Sequence, residues 1–331
     1  MNLLVLGGTR FVGRAVVLDA LSRGWQITAM HRGLTAALPA DVAHLAADRT
    51  DPVALEAALG DRSFDAVVDT WAGAPHVVRS AASLLRGRVG RLAYVSSLSV
   101  YVDGRPRLGN ESWATVEADP AAAATDYAAD KRGGELAAQE SFPTALLARA
   151  GLILGPWENV GRLPWWLSRC SRGGRVVAPG RPQSPLQYVD VRDLAAWTLD
   201  GLEAGICGPF DLTCPPGLHS FGSLLDAVVE TTGSTAELVW VDQERVLAAG
   251  VEPWTQLPCW VPEGGEWTGF MTGDTTAAVA AGLRTRPMAA TVADTWAWVQ
   301  ADGMPVPPPH LPTPGLPPAL EAALLADGLT R

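Results

Sequence analysis

The sequence predicts an α/β protein with a doubly wound, mostly parallel sheet and a smaller, mixed C-terminal lobe. Two observations lead to this fold class. Short apolar runs alternate with helical patterns through the first half of the chain, and strands that are joined by helices pair in parallel through crossovers. A glycine-rich turn also follows the first apolar run directly, as in sheets that bind ligands at their carboxyl edge.

Hydrophobic periodicity sets the order of elements in the first half of the chain. The second predicted helix starts at Pro52 after the capping residue Asp51 and stops at Gly60. The predicted strands are Leu3–Leu6, Gln26–Met30, His44–Ala47, Ala66–Asp69, Leu92–Ser96 and Leu146–Leu154. The other predicted helices are Phe11–Arg23 and Pro75–Leu85.

The pattern is less regular in the second half, where short strand-like runs and helical patterns mix. The predicted strands there are Arg175–Ala178, Leu186–Val189, Phe210–Thr213 and Leu238–Val241. The predicted helices are Val191–Leu202, Phe221–Thr231, Thr291–Gln300 and Ala319–Ala326. We therefore expect three parts: residues 1–155, a lobe at 156–303 interleaved with the last sheet strands, and a Pro-rich tail at 304–331.

Composition excludes several classes of protein. Hydrophobic residues make up 48% of the 331-residue chain and charged residues 18%, the balance of a globular protein and not of a disordered one. The net charge of −10 argues against binding to nucleic acid or to an anionic membrane. The four cysteines form no C-x-x-C pair, no apolar run is long enough to span a membrane, and the histidines lack metal-site spacing. We expect a cytoplasmic protein without a metal.

The first motif is the glycine turn, which lies between a predicted strand and a predicted helix. It contains Gly7, Thr9, Arg10, Phe11, Val12 and Gly13. Glycines allow the backbone to approach a pyrophosphate, and the helix N-terminus offers N–H donors and a positive dipole end. A plain strand–helix turn would have the same composition, but the context favours a dinucleotide site in a Rossmann-type domain.

The cofactor type is predicted from the end of the second strand. A carboxylate there would bind the ribose hydroxyls of NAD, but this chain has His31 and Arg32. A cation suits the 2′-phosphate of NADP, so we expect NADP to be preferred, with NAD as the alternative. After the third strand, Asp48 and Arg49 would contact the adenine, although a simple turn before a helix explains this pair equally well.

The sharpest signal is a Tyr–Lys pair, Tyr127 and Lys131, at i and i+4 on one predicted helix face. Upstream, a predicted strand ends in Ser96 and Ser97. A neighbouring lysine favours phenolate and lowers a tyrosine pKa that starts near 10. Tyr127 could then donate or accept a proton near neutral pH.

These motifs resemble the short-chain dehydrogenase/reductase superfamily, in its extended and atypical branch related to NAD-dependent epimerase/dehydratases. The matching segments are Gly7–Gly13, Tyr94–Tyr101, Tyr127–Lys131, Ala148–Pro156 and Leu186–Ala195. The resemblance implies a catalytic triad of Ser97, Tyr127 and Lys131. Ser97 would bind the substrate oxygen, Tyr127 would exchange a proton, and Lys131 would bind the nicotinamide ribose. Ser96 is an adjacent candidate for the serine.

The chain departs from the family pattern at three places. Arg10 replaces the middle glycine of the turn, a form associated with atypical members. Ser99 and Leu98 stand where sugar-nucleotide dehydratases carry acidic residues, which disfavours dehydration. Leu186 stands where the family's nucleotide-sugar enzymes usually have an arginine that binds the diphosphate. This departure disfavours a nucleotide-sugar substrate.

Tryptophan is abundant, with 13 residues. By the family layout several of them would surround the substrate cleft, and we expect Trp71, Trp157, Trp165 and Trp166 to bind the substrate. Trp254, Trp260 and Trp267 belong to the same group. For the group as a whole, a hydrophobic pocket and ordinary core packing explain the pattern equally well.

The sequence therefore predicts an NAD(P)-dependent oxidoreductase that reduces a carbonyl, or oxidises an alcohol, on a small apolar or aromatic metabolite. One alternative is an NAD-dependent epimerase of a sugar-like or nucleotide-sugar substrate. Another is a non-catalytic dinucleotide-binding protein that is regulatory or associated with RNA, although the acidic charge counts against RNA. We expect a small molecule as the partner, with neither nucleic acid nor membrane, and a homodimer is the expected assembly.

Overall fold

Seven parallel strands form the central sheet in a computed structural model that describes residues 1–34 and 37–326. The strands are β1 (Asn2–Leu6), β2 (Gln26–His31), β3 (Ala43–Ala46), β4 (Phe64–Asp69), β5 (Val89–Ser97), β6 (Leu146–Ala150) and, later in the chain, β11 (Gly208–Leu212). Their order across the sheet is β11-β6-β5-β4-β1-β2-β3. The predicted fold class, a doubly wound Rossmann-type sheet, is confirmed.

Helices cover both faces of this sheet, and alternate side chains of β1 pack against the two helical layers. Leu3 and Val5 pack with α1 (Phe11–Ser22) and α6 (Val191–Ala204), whereas Leu4 and Leu6 pack on the opposite face. There they meet the layer formed by α2 (Pro52–Leu59), α3 (Pro75–Leu85) and α4 (Tyr127–Ser141). Successive side chains of a strand point to opposite faces, so a strand buried on both faces is apolar throughout.

The second hydrophobic core lies in the C-terminal lobe. Its longest pairing is parallel, between β8 (Gly174–Pro179) and β13 (Ala236–Val241). The short strands are β7 (Leu152–Leu154), β9 (Pro185–Leu186), β10 (Tyr188–Asp190), β12 (His219–Ser220), β14 (Pro253–Trp254) and β15 (Leu257–Pro258). The remaining helices are α5 (Arg162–Ser171), α7 (Phe221–Thr232), α8 (Gln243–Ala248), α9 (Thr276–Ala280), α10 (Met288–Asp302) and α11 (Pro318–Ala326).

Two predicted strands are each divided in the structure. The strand predicted at Leu146–Leu154 breaks at Gly151, whose N–H donates to Leu212 O; β6 stays in the central sheet, while β7 pairs with β10. The strand predicted at Leu186–Val189 breaks at Gln187, whose side chain bonds the backbone of Gly273. The chain therefore leaves the central sheet at Gly151, and at Gln187 it passes between two short two-stranded sheets.

The lobe is interleaved with the sheet, because β11 and α6 come from the second half of the chain but lie in the sheet and its helical layer. The division at residue 155 stays a prediction. The Pro-rich tail packs onto the lobe: Glu321 of α11 accepts hydrogen bonds from Arg169 and from the N–H of Val177. Residues 327–331 of the predicted tail lie outside the described residues.

The helices of the described part of the chain are too short or too polar to cross a membrane. In the same part, no group of three His, Cys, Asp or Glu side chains is arranged to hold a metal ion.

Candidate active site

A cavity of about 970 Å³ opens between the carboxyl edge of the central sheet and the lobe. Its lining includes the glycine turn after β1, the end of β5, the start of α4 and the lobe segments around Arg162 and Phe270. Ligands of open parallel sheets bind outside the carboxyl ends of the strands. The cavity lies in that position.

The glycine turn is shaped for close backbone approach. Gly7 has a φ of +101°, and a Cβ on Gly13 would lie 2.0 Å from Gly7 O, so only glycine fits there. Helix α1 begins at Phe11 with no side-chain cap, and its first N–H groups lack intrahelical partners. Five of the six predicted cofactor residues in this turn line the cavity: Gly7, Arg10, Phe11, Val12 and Gly13. Thr9 is the exception and is buried in the turn.

The end of β2 presents a hydrogen-bond donor where a carboxylate would be expected. His31 Nδ1 accepts a hydrogen bond from Gly33 N–H at 3.0 Å, so a neutral His31 carries its proton on Nε2. The ring stacks on His44 with 3.8 Å between centroids. Burial, followed by the charge of His44, lowers the pKa of His31, which favours this neutral form.

Arg32 and Asp48 lie together on the surface beside His31, with Arg32 Nη1 3.8 Å from Asp48 Oδ2. Asp48 also accepts hydrogen bonds from the N–H and hydroxyl of Thr50, which makes it a turn residue. Arg49 is different: its guanidinium makes two hydrogen bonds, of 2.5 and 2.6 Å, to the buried carboxylate of Asp69. Two of the Arg49 donors are therefore used by Asp69, and its contact with adenine stays a prediction.

Tyr127 is the first residue of α4, which Asp126 caps by accepting from Ala129 N–H. Tyr127 and Ser97 both line the cavity, and the Ser97 hydroxyl donates to Ser99 Oγ at 3.2 Å. Tyr127 is 52% exposed, since the cavity is open to solvent. Packing around its hydroxyl raises the pKa of Tyr127, while the neighbouring Ser97 hydroxyl and the charge of Arg162 oppose this rise.

Lys131, the single lysine of the chain, lies one turn beyond Tyr127 and is almost completely buried. Its Nζ donates to the carbonyl oxygens of Trp71 and Val95, both at 2.7 Å, and lies 5.0 Å from the centre of the Tyr94 ring. Burial lowers the pKa of Lys131 to about 8. The ammonium group therefore borders the cavity and is fixed by backbone carbonyls.

Ser96 belongs to a buried polar network. Its hydroxyl donates to Glu135 Oε1 at 2.7 Å, and Glu135, which is fully buried in α4, also forms two hydrogen bonds with Arg149 of β6. Arg149 Nη1 donates to the hydroxyl of Tyr101 at 2.9 Å. Sequence reasoning missed this network. The signal was present, because an arginine inside an otherwise apolar strand needs a buried partner.

The tryptophans predicted to bind substrate do not line the cavity. Trp166 is fully buried in the lobe core, where its Nε1 donates to Pro258 O at 2.7 Å. Trp165 packs edge-on against Trp166 and onto the same core. Helix α5 turns this face toward the lobe core, and the substrate contacts of both residues stay predictions. Trp254 lines the cavity, whereas Trp260 and Trp267 line a separate pocket of about 370 Å³.

Trp71 and Trp157 also lie outside the cavity lining, and each contacts an arginine instead. The Arg49 guanidinium lies 5.0 Å from the Trp71 ring centre, and the Trp71 Nε1 donates to Ala74 O. Arg14 lies 5.3 Å from the Trp157 ring centre. Both rings pack against the sheet side of the protein, and the substrate contacts expected for them stay predictions.

The lobe contributes an arginine to the wall of the cavity. Arg162 begins α5 and lines the cavity, and its guanidinium lies 5.2 Å from the Trp254 ring centre. Trp254 in turn packs edge-on against Phe270, which also lines the cavity. A cation and an aromatic wall therefore face the reactive side chains.

A family model matches part of the sequence, and solved structures match the fold of nearly the whole chain. Residues 3–87 match the model of the NAD dependent epimerase/dehydratase family. A search of curated protein sequences finds no match.

Several solved structures share the fold. The Bordetella bronchiseptica enzyme WbmH in complex with NAD⁺ is 18% identical, with a TM-score of 0.70 over 92% of this chain and 99% of that one. The UDP-glucose 4-epimerase of Thermus thermophilus in complex with NAD is 20% identical, with a TM-score of 0.64 over 91% and 100%. The UDP-glucuronic acid 4-epimerase of Bacillus cereus in complex with NAD is 12% identical, with a TM-score of 0.66 over 92% and 100%.

These likenesses agree with the motifs around the cavity. The family model covers the glycine turn and the first four strands, and the solved structures share the arrangement of sheet and lobe. The resemblance of this chain to the extended short-chain dehydrogenase/reductases, in their NAD-dependent epimerase/dehydratase-like branch, is therefore confirmed.

Proposed function

We propose that this protein is an NAD(P)-dependent enzyme that moves a hydride between a nicotinamide and a substrate carbon, with Tyr127 exchanging the substrate proton. One observation carries this proposal. A single cavity is lined by the glycine turn, Ser97, Tyr127 and Lys131, so a dinucleotide on the turn would bring its reactive end to these side chains.

The residues present fit a dinucleotide. A Cβ at Gly13 would fill the space inside the glycine turn. The uncapped N-terminus of α1 provides donors for a pyrophosphate. When bound, the cofactor supplies or accepts the hydride. Lys131 is positioned to bind hydroxyls at the cavity floor, because two backbone carbonyls fix its ammonium group.

Ser97 and Tyr127 act on the oxygen of the substrate. In reduction, Ser97 donates a hydrogen bond to the carbonyl oxygen while Tyr127 O–H delivers a proton to the same atom. In oxidation, the proton moves in the reverse direction, from the substrate hydroxyl to Tyr127. The raised pKa of Tyr127 keeps its hydroxyl protonated at neutral pH, the state that reduction requires.

We favour epimerisation by transient oxidation over net reduction. The support comes from the solved structures, among which are a UDP-glucose 4-epimerase and a UDP-glucuronic acid 4-epimerase, each in complex with NAD. In such a cycle the same residues serve both half-reactions, and the cofactor returns to its starting state.

Net reduction of an apolar or aromatic carbonyl is the second candidate, favoured by the walls of the cavity. Leu98, Trp254, Phe270 and Leu311 line it. Leu186, at the place where a diphosphate-binding arginine would be expected, is buried in the lobe core. Apolar walls of this kind favour a substrate with an apolar ring.

The NADP preference is part of the proposal. His31 presents an Nε2–H donor, Arg32 a guanidinium, and the end of β2 has no carboxylate of its own. A 2′-phosphate would gain charge-assisted hydrogen bonds there. Asp48, 3.8 Å from Arg32, opposes that preference, and NAD is the alternative.

Cofactor stoichiometry tests the proposal. The purified protein is incubated with NADPH and a panel of aromatic ketones, and separately with NAD⁺ and UDP-glucose. We expect formation of the C4 epimer without net change in the cofactor; stoichiometric oxidation of NADPH by a ketone would establish the second candidate. Tyr127→Phe should bind the cofactor normally but lose about 10²–10⁴ in rate. Wild-type turnover in this variant would remove Tyr127 from the mechanism.

A further inference from the structure

Arg162 has an unusual position for an arginine in a cavity wall. Within the described part of the chain its guanidinium makes no hydrogen bond. Its nearest carboxylate atom, Glu158 Oε1, is 3.8 Å from Nη1. The side chain is only 22% exposed, and its guanidinium lies 5.2 Å from the Trp254 ring centre. Stacking on an indole fixes the guanidinium plane and leaves its edge donors available.

The helix beneath Arg162 does not compete for an anion. Glu158 is completely buried, and its carboxylate accepts hydrogen bonds from the N–H groups of Arg162 and Leu163 at 2.8 and 3.1 Å. These are donors that the N-terminus of α5 would otherwise offer to a ligand. An anion entering this side of the cavity would therefore bind to the guanidinium.

The other cations that line the cavity are already engaged or lie elsewhere. Arg105 pairs with the buried Asp211, and Lys131 donates to two carbonyl groups. Arg10 belongs to the glycine turn. Two carboxylates, Asp103 and Glu266, also line the cavity. Among the described lining residues, Arg162 is therefore the cation available to an anion on the lobe side, and the carboxylates around it, including Glu158 at 3.8 Å, disfavour the several charges of a diphosphate.

We infer that Arg162 binds a carboxylate of the substrate, so that the substrate is a monoanionic acid with its apolar part against Trp254 and Phe270. A planar carboxylate matches the edge of a guanidinium in a bidentate pair. The inference rests on the second candidate function, reduction of a carbonyl on a substrate with an apolar ring, and it names the substrate class of that candidate in the same cavity.

The position of Arg162 also links binding of the substrate carboxylate to the protonation of Tyr127. Its charge reaches the hydroxyl of Tyr127, where it opposes the rise in pKa that burial causes. A carboxylate on Arg162 neutralises that charge, so Tyr127 holds its proton more tightly when the acid is bound. A substrate lacking the carboxylate would leave Tyr127 a stronger acid but would lose its anchor.

The test compares benzoate with its neutral analogue benzamide, using titration calorimetry on the whole chain with and without NADPH. Benzoate should bind about 10–100-fold tighter than benzamide, the range expected for a charge-assisted hydrogen-bonded pair. Arg162→Met, and the more conservative Arg162→Gln, should remove this preference. Arg14→Met is the matched control, since Arg14 also stacks on a tryptophan but lies outside the cavity lining.

Three results would overturn the inference: equal affinity for benzoate and benzamide in the wild type, absence of benzoate binding, or an unchanged preference in both Arg162 variants. Inorganic pyrophosphate binding tighter than benzoate, and lost in the variants, would show a diphosphate site instead and also overturn it. Cofactor binding distinguishes failure of the proposed function from failure of this inference. If neither NADPH nor NAD⁺ binds, that proposal fails whatever benzoate does; if they bind and benzoate shows no preference, only the carboxylate inference fails.

Discussion

The hydroxyl of Ser96 donates a 2.7 Å hydrogen bond to the buried carboxylate of Glu135. The hydroxyl of its neighbour Ser97 instead donates to Ser99 Oγ, and Ser97 lines the cavity together with Tyr127. Successive residues of a strand point to opposite faces, so adjacent serines at the end of β5 have different surroundings. Both residues line the cavity, but the hydroxyl of Ser96 belongs to the buried network of Glu135, whereas that of Ser97 does not.

Replacing the two serines separately should separate catalysis from stability. Ser97→Ala should lower kcat by about 10²–10³, the effect of losing one hydrogen-bond donor to the reacting oxygen, with little change in unfolding free energy. Ser96→Ala should leave kcat near the wild-type value and lower the unfolding free energy by about 1–3 kcal/mol, because Glu135 loses a buried donor. Steady-state kinetics and urea unfolding measure both. The reverse pattern would assign catalysis to Ser96.

Two glutamates of α4 offer a matched comparison of buried and exposed ion pairs. Glu135 is fully buried against Arg149, whereas Glu140 pairs with Arg79 at the surface. Glu135→Ala should lower the unfolding free energy by about 3–5 kcal/mol, because it leaves a buried guanidinium unpaired. Glu140→Ala should change it by about 0–1 kcal/mol. Urea unfolding of both variants checks this, and equal losses would contradict a structural role for the buried pair.

The parts of the site that the sequence could predict each lie within one short segment of the chain. The glycine turn and the Tyr127–Lys131 spacing each depend on a few consecutive residues and on the element that carries them, and the structure brings both to one cavity. The Glu135–Arg149 pair joins a helix to a strand 14 residues later, and its partners are fixed only by packing. The same holds for Arg49, which finds Asp69 across the sheet edge.

For the tryptophans, the sequence could not predict in which direction the side chains point. Abundance and approximate location predicted a substrate role for Trp165 and Trp166, but side-chain direction depends on how α5 is rotated against the lobe core. Leu163 and Leu167 are completely buried, and Trp166 lies on the same helix face. Arg162 precedes this apolar face, so the helix rotation that buries Trp166 brings Arg162 to the cavity.

Cofactor choice should depend on Arg32. We expect NADPH to bind more tightly than NADH, and Arg32→Ala to weaken NADPH binding by about 10–100-fold while leaving NADH unchanged, since only NADPH carries the 2′-phosphate. Arg79→Ala is the control, because Arg79 is a similarly exposed arginine paired with a carboxylate, Glu140. Calorimetric titration with both cofactors decides it. Equal wild-type affinities would remove the preference, and an unchanged preference in Arg32→Ala would remove Arg32 from the site.

The titration of Lys131 can be observed directly, because the chain has no other lysine. With lysine labelled by ¹³C at Cε, one signal should titrate with a midpoint at about pH 8, since burial lowers the pKa of Lys131 to that value. Lys131→Met assigns the signal by removing it. A midpoint near 10.4, the value for an exposed lysine, would show that the ammonium group is not buried as the structure places it.

The same shift fixes the direction of a stability change. Between about pH 8 and pH 10.4 the unfolded chain holds the Lys131 proton and the folded chain does not, so the unfolding free energy rises with pH across this window. Below pH 8 both states hold the proton, and the stabilisation is lost. The wild-type unfolding free energy minus that of Lys131→Met should rise by about 3 kcal/mol over the window, at 1.36 kcal/mol for each pKa unit. Urea unfolding of both proteins across this range measures the difference. A difference that is flat with pH, or that falls, would contradict the lowered pKa even if the labelled signal were lost to broadening.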